Sequence, residues 1–331
     1  MSTKNLSCTK IVWLAAIAAL ADFTPQALAD EPLEGSGIAT AGPGVGEIDN
    51  AYGHTLKKEP ADKEDEGEPA AEDDKRITVS LGIDWTSAYY ARGYRQEDKG
   101  GIVQPWAEIG FTLHKWEDGD FGVFLGTWNS VHGKKTGAAD TASRFVSKWY
   151  ESDVYAGLAL NLGKFSFSTT YMAATSPNDA FVTCEEWQGT VSFDDSEYLG
   201  AWAMNPSVLV VYETGDGFSD GIGPRGVFLE PSIAPGFTWE GTAVGDVEFE
   251  FPVTVGLSLS NYFSDSNGDD SFCGYETIGA KATLPLPFNE KFGEWNLTAG
   301  VTVLFLNGSC KEVNDGHATE VIGTVGISCE F

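Results

Sequence analysis

From Ile77 to Phe331 the chain alternates apolar and polar residues in strand-length runs, and a period of two places the two classes on opposite sides of each strand. Ile77, Val79, Leu81, Ile83 and Trp85 form one side of the first run, against Thr78, Ser80, Gly82, Asp84 and Thr86. Val103, Pro105, Ala107, Ile109 and Phe111 do the same against Gln104, Trp106, Glu108, Gly110 and Thr112. So do Val154, Ala156, Leu158 and Leu160 against Glu151, Asp153, Tyr155, Gly157 and Ala159. Late in the chain, Val247, Phe249, Phe251, Val253, Val255, Leu257 and Leu259 oppose Glu248, Glu250, Thr254, Gly256, Ser258 and Ser260. No helical period competes with this pattern. Twelve runs result: 77–91, 101–115, 120–131, 149–162, 164–175, 186–194, 205–214, 226–240, 246–263, 275–287, 293–306 and 319–331. They are spaced more widely than the roughly 8–12 residues between turns of a soluble sandwich.

The connections have an order. Those at 117–119, 162–164, 241–245 and 288–292 are short, and between them fall longer polar ones at 131–148, 175–186, 214–226, 263–275 and 306–319, with 195–205 as the one weaker member of the alternation. Alternating tight turns and long loops, with an even strand count that returns both ends of the domain to one side, describe an antiparallel up-and-down transmembrane β-barrel. The expected fold is therefore all-β, a barrel of about 12 strands over residues 76–331.

Alternation does not say which face is enclosed. A soluble sandwich buries its apolar side, whereas a membrane barrel turns that side to lipid and encloses a polar lumen. Three features favour the barrel. Its polar sides carry small residues (Ser80, Gly82, Gly110, Gly157, Ser166, Ser168, Gly256, Gly279, Thr298, Gly300) where a soluble surface is rich in Lys and Glu. Aromatic residues stand near strand ends, as they do at bilayer interfaces: Trp85, Tyr89, Tyr90, Trp116, Trp149, Tyr150, Trp187, Trp239, Phe288, Phe292 and Trp295. The last run places Val321, Val325, Ile327 and Phe331 on one side and stops on the aromatic residue. Such a terminal strand would leave an open edge unless it closes onto the first. It resembles the terminal signal of Gram-negative outer-membrane proteins, which implies that Phe331 is read by the barrel-assembly machinery.

The N-terminal quarter has two parts. Lys4 and Lys10, the apolar stretch 11–20 and the small residues of Ala27-Leu28-Ala29 mark residues 1–29 as a cleaved secretory signal peptide. Residues 30–75 carry a net charge of -10 with few aromatic or β-branched residues, the composition of a disordered acidic periplasmic linker. The whole chain has a net charge of -29, which excludes nucleic-acid partners, since these require a basic face.

The segment Ser87-Ala88-Tyr89-Tyr90-Ala91-Arg92-Gly93-Tyr94-Arg95-Gln96 resembles the opening strand and loop of the TorF-type porins. In that family a serine-aspartate-tyrosine start leads to arginine-glycine and then glutamine. Ala88 stands here for the aspartate and Ala91 for the usual aromatic residue. The resemblance covers about one strand and its loop, with Tyr89, Arg92, Gly93 and Gln96 as the matching motif residues. It implies an outer-membrane porin.

The assigned parity turns Asp84, Glu108, Glu151, Asp153, Glu230, Glu248, Glu250, Glu320 and Glu330 inward, with Lys281 as the basic exception. Carboxylates facing water in a lumen concentrate cations and exclude anions. The expected function is passive diffusion of small hydrophilic solutes, cationic or neutral by preference, through the cell outer membrane. Its partners are membrane lipid, the assembly machinery and the solutes themselves. Two alternatives stand beside it: a secreted or periplasmic β-sandwich that binds carbohydrate, and a barrel that does not conduct.

No catalysis is expected. His54, His114, His132 and His317 lie in no nucleophile motif, although His132 is near Ser130. No cofactor is required. Asp265, Asn267 and Asp269 have the spacing of a calcium loop, but the glycine required at its sixth position is Asp270, so no metal is assigned. Among Cys184, Cys273, Cys310 and Cys329, the neighbouring loops favour a Cys273–Cys310 disulfide, while spacing alone leaves the connectivity open.

Overall fold

Twelve alternating runs become one closed sheet. A computed structural model describes residues 76–135, 145–217, 224–242, 245–265 and 267–331. The signal peptide and acidic linker expected at 1–29 and 30–75 lie outside the described residues. The strands are β1 (Ile77–Thr86), β2 (Tyr89–Ala91), β3 (Tyr94–Glu97), β4 (Ile102–Trp116), β5 (Gly119–His132), β6 (Trp149–Leu162), β7 (Phe165–Thr175) and β8 (Cys184–Phe193). They continue with β9 (Ser207–Glu213), β10 (Val227–Ile233), β11 (Gly236–Thr242), β12 (Gly245–Glu250), β13 (Val253–Ser260), β14 (Cys273–Leu286), β15 (Glu294–Leu306) and β16 (Thr319–Glu330). Two short helices, α1 (Ser196–Leu199) and α2 (Gly308–Val313), lie in connections.

β10 and β11 are two halves of one barrel strand, and so are β12 and β13. Proline interrupts the regular ladder in each, at Pro235 and Pro252, because it has no N–H to donate. Backbone bonds bridge both gaps, from Phe251 N to Pro235 O at 2.8 Å and from Gly279 N to Pro252 O at 2.8 Å. With these halves joined and the small β2–β3 hairpin set aside, the sheet is a closed antiparallel barrel of 12 strands. Closure is made by β1 against β16, with Ser80 opposite Glu330 and Thr86 opposite Thr324. The terminal residue extends this seam, with Phe331 N donating to Val79 O at 2.9 Å.

Burial decides the facing. On β6, Val154 is 62% and Leu158 45% exposed, while Glu151 is 8% and Asp153 2% exposed. Ile77, Leu81, Ile83 and Trp85 on β1, and Val208, Val210 and Tyr212 on β9, are likewise exposed. The inward neighbours on β9, Leu209 and Glu213, are buried. Apolar side chains thus look outward and polar ones are enclosed, which is the inversion a transmembrane barrel requires and a sandwich does not allow. Trp187, Trp239, Phe288 and Phe292 are exposed at strand ends, as an interfacial girdle would be.

Two expectations need correction at the long-loop end. The first run stops at Thr86, five residues short of 91, and Tyr89, Tyr90 and Tyr150 are not girdle residues but buried ones. After β1 the chain folds back as the β2–β3 hairpin, whose two-residue turn is Arg92-Gly93 with φ of 43° and 84°. Positive φ at both central positions is the turn geometry that matches the twist of paired strands. Tyr89, Tyr90, Arg92 and Tyr94 of this hairpin are all buried, in clusters with Phe228, Tyr262, Phe263, Tyr275 and Cys310 or with Trp128 and Tyr150.

Candidate functional site in the lumen

The lining changes along the barrel. Toward the long loops the inward residues Gln104, Trp128, Glu151, Asp153, Glu186, Gln188, Glu213 and Glu230 are buried. Toward the middle of the barrel and the short turns the inward Ser80, Glu108, Ser166, Ser168, Thr190, Ser232 and Thr298 are only partly covered, as is Asp84 opposite Gln104. The hairpin fills the first region and leaves the second accessible.

Strand parity gives every expected lumen residue an inward position. Asp84 and Glu108 lie on β1 and β4, Glu151 and Asp153 on β6, and Glu230 on β10. Glu248 and Glu250 lie on β12 opposite Thr283 and Lys281 of β14, and Glu320 begins β16. The structure adds Glu186 and Glu213, which stand opposite each other on β8 and β9. Glu186 follows the same alternation (Glu186, Gln188 and Thr190 against Trp187 and Val191), so parity at the start of the sixth run was the signal for it.

The inward carboxylates have several kinds of partner. Neutral aromatic donors bind four of them: Trp106 Nε1 donates to Asp84 at 3.0 Å, Tyr155 Oη to Glu108 at 3.2 Å, Tyr89 Oη to Glu151 at 2.7 Å and Tyr275 Oη to Glu230 at 2.5 Å. Such bonds fix the orientation of a carboxylate. Lys281 pairs with Glu250, and Arg92 forms a two-pronged pair with Glu186, both of its bonds at 2.7 Å. Arg92 Nη1 also donates to Tyr262 Oη at 2.5 Å, and its guanidinium lies 5.5 Å from the Phe228 ring and 5.8 Å from that of Tyr262.

Tyr89, Arg92, Gly93 and Gln96 are each hydrogen-bonded to other parts of the chain. Tyr89 and Arg92 reach the wall as described. Gly93 O accepts from Asn314 Nδ2 at 2.7 Å, and Gln96 accepts from Tyr150 Oη. Arg95, the next basic residue, pairs with Asp98 and with Asp315 of the last long loop. The Arg95 guanidinium beside Asp315 holds its carboxyl below the usual carboxylate range.

The cysteines, the candidate calcium loop and the histidines can also be placed. Cys310 is a thiol in α2, so the expected Cys273–Cys310 disulfide is not formed. The ladder between β13 and β14 is irregular: Tyr275 pairs with Gly256 and Cys273 with Leu257, so Gly274 has no partner of its own. This bulge turns Cys273 to the outer side beside Leu257, whereas Cys310 is buried against the hairpin turn. In the candidate calcium loop, Asp265 Oδ1 accepts from Asn267 N at 2.8 Å and Asp269 N at 2.9 Å. Those amides hold the Asp265 carboxyl below its ordinary range, and Asp270 in turn binds Ser258, Asn261 and Phe263. Among the described residues, no group of three or more His, Cys, Asp or Glu could hold a metal ion. His132 Nε2 lies 3.2 Å from Ser130 Oγ, but both are buried and the imidazole is stacked on Tyr150, 4.5 Å between ring centres. His317 pairs with Glu320 at 2.9 Å.

No protein-family model matches the chain, and no curated protein does. Among solved structures the chain is similar to an outer membrane channel from Pseudomonas putida F1, with 11% identity over 82% of this chain and 100% of that one and a TM-score of 0.40. It is similar to the translocator domain of the autotransporter NalP from Neisseria meningitidis, with 11% identity over 79% and 90% and a TM-score of 0.36. It is also similar to the NanC porin, with 11% identity over 76% and 98% and a TM-score of 0.37.

Proposed function

We propose that this chain is an outer-membrane channel of the TorF-type porin family that passes small hydrophilic solutes by diffusion, cationic or neutral ones by preference. One observation carries the reading. Asp84 and Glu108 stand on the inward side of β1 and β4, only partly covered, and are oriented there by Trp106 and Tyr155, which places carboxylates where a solute would pass. In this reading the short turns and both ends of the barrel domain face the periplasm, and the long loops face outward. The acidic linker stays on the periplasmic side, because an acidic lumen repels it. The strand ending in Phe331 is the element that the assembly machinery engages.

Recording from the purified chain in planar bilayers under a salt gradient tests the proposal. The expected result is discrete conductance steps with a reversal potential on the cation side, shifted toward zero by Glu248→Gln and Glu250→Gln. Anion preference would overturn it. A second reading, a barrel that does not conduct, is favoured by the hairpin buried at the long-loop end. Absence of steps, both in the native chain and after removal of that hairpin, would establish it.

A further inference from the structure

We propose that the seat of Arg92 is a guanidinium-recognition subsite, filled by the chain's own hairpin in this closed arrangement and by a guanidinium-bearing solute when the hairpin withdraws. The inference deepens the channel reading and rests on it for the solute's route, though not for binding itself.

The seat is made by residues outside the hairpin, two on wall strands and Tyr262 in the loop after β13. Glu186 stands on β8 and accepts a hydrogen bond from Gln188 Nε2 at 2.7 Å. Phe228 stands on β10, stacked at a tilt on Tyr262 with 4.8 Å between ring centres. Tyr262 is anchored through its backbone N to Ser258 Oγ at 3.0 Å. None of these three contacts runs through Arg92. What these groups offer is specific: two carboxylate oxygens matched to a planar fork, a phenol oxygen, and two aromatic faces. An ammonium ion, which is a compact point charge, cannot use the fork in this way.

Two features mark the hairpin as a displaceable occupant. Arg92 lies at φ 43°, in the left-handed region where asparagine or glycine is the cheaper turn residue, so its side chain rather than its backbone explains its presence. Packing around the hairpin also leaves polar atoms of the wall without hydrogen-bond partners: Gln188 Oε1, Gln104 Nε2 and Trp128 Nε1, on residues no more than 4% exposed. Gln188 Oε1 belongs to the side chain that holds Glu186, so the seat has an acceptor in reserve for a donor-rich ligand.

The test is chemical rescue of the full-length chain in detergent. Arg92→Ala is expected to melt at a lower temperature than the native chain. Methylguanidinium should raise its Tm in a saturable manner, whereas methylammonium and sodium at equal ionic strength should not. Adding Glu186→Gln should weaken that rescue by about ten- to hundredfold, the range of a lost hydrogen bond to a charged group. Equal responses to the three cations, or rescue unaffected by Glu186→Gln, would overturn the proposal. If Arg92→Ala does not assemble, the native chain serves: methylguanidinium, but not methylammonium, should speed chymotrypsin cleavage after Tyr90 or Tyr94 by lifting the hairpin. Equal cleavage rates would overturn it. Neither readout depends on conductance, so a chain that binds methylguanidinium but passes no current contradicts the channel alone.

Discussion

Gly93 and Arg92 divide the work of the hairpin turn between backbone and side chain. Gly93 has φ 84°, and a Cβ there would stand 2.9 Å from Tyr275 Cδ1 and 3.0 Å from Cys310 Sγ. Gly93→Ala should therefore destabilise the hairpin by about 1–3 kcal/mol, read as a lower Tm and faster proteolysis within 89–97. Asp315 makes a pH prediction. Its folded pKa is depressed by Arg95, so its contribution is fully present above the unfolded value near 3.8 and is lost as pH falls through the lower, folded value. The tie between hairpin and last loop should then hold at neutral pH and release only in strong acid. Hydrogen exchange at Arg95 and Gln96, followed against pH, checks this, and release near neutrality would contradict it. The outward face makes a third prediction at this scale. Leu158→Arg, near the middle of β6, should cost about 2–4 kcal/mol in lipid, measured by urea titration of the folded fraction.

At the scale of elements, the hairpin and the terminal strand carry the testable content. Replacing residues 88–97 by a short flexible linker should leave a folded, heat-modifiable barrel, because the twelve-strand ladder does not include β2 or β3. Conductance should rise. Loss of the barrel instead would mean that the hairpin is part of the core. Deleting Phe331 removes the bonds to Val79 at the closing seam and should reduce assembly in cells more than refolding in detergent. The strands themselves were legible, since period two is a strong signal over eight or more residues. The hairpin was not: Tyr89, Tyr90 and Ala91 prolong the pattern of β1, and nothing local distinguishes a strand that continues from one that turns back into the lumen. The cysteine pairing failed for a related reason. Adjacent loops suggested contact between Cys273 and Cys310, but a bulge of one residue turned the first outward.

For the molecule as a whole, one choice of facing organises everything else. Read from sequence, parity puts Asp84, Glu108, Glu151, Asp153 and Glu230 on the polar side of their strands. Their aromatic donors were not legible, because Trp106 stands on the neighbouring strand, Tyr155 and Tyr275 one strand further on, and Tyr89 in the hairpin, and strand register and the hairpin's fold decide which of them meet. The facing itself can be measured directly. Single spin labels at each position from Asp153 to Leu160, in a background with the native cysteines replaced by serine, report contact with lipid-soluble oxygen and with a water-soluble nickel reagent. The account predicts oxygen maxima at 154, 156, 158 and 160, with low oxygen contact at 153, 155, 157 and 159. Oxygen maxima at the odd positions, or uniform exposure to nickel at the even ones, would contradict it.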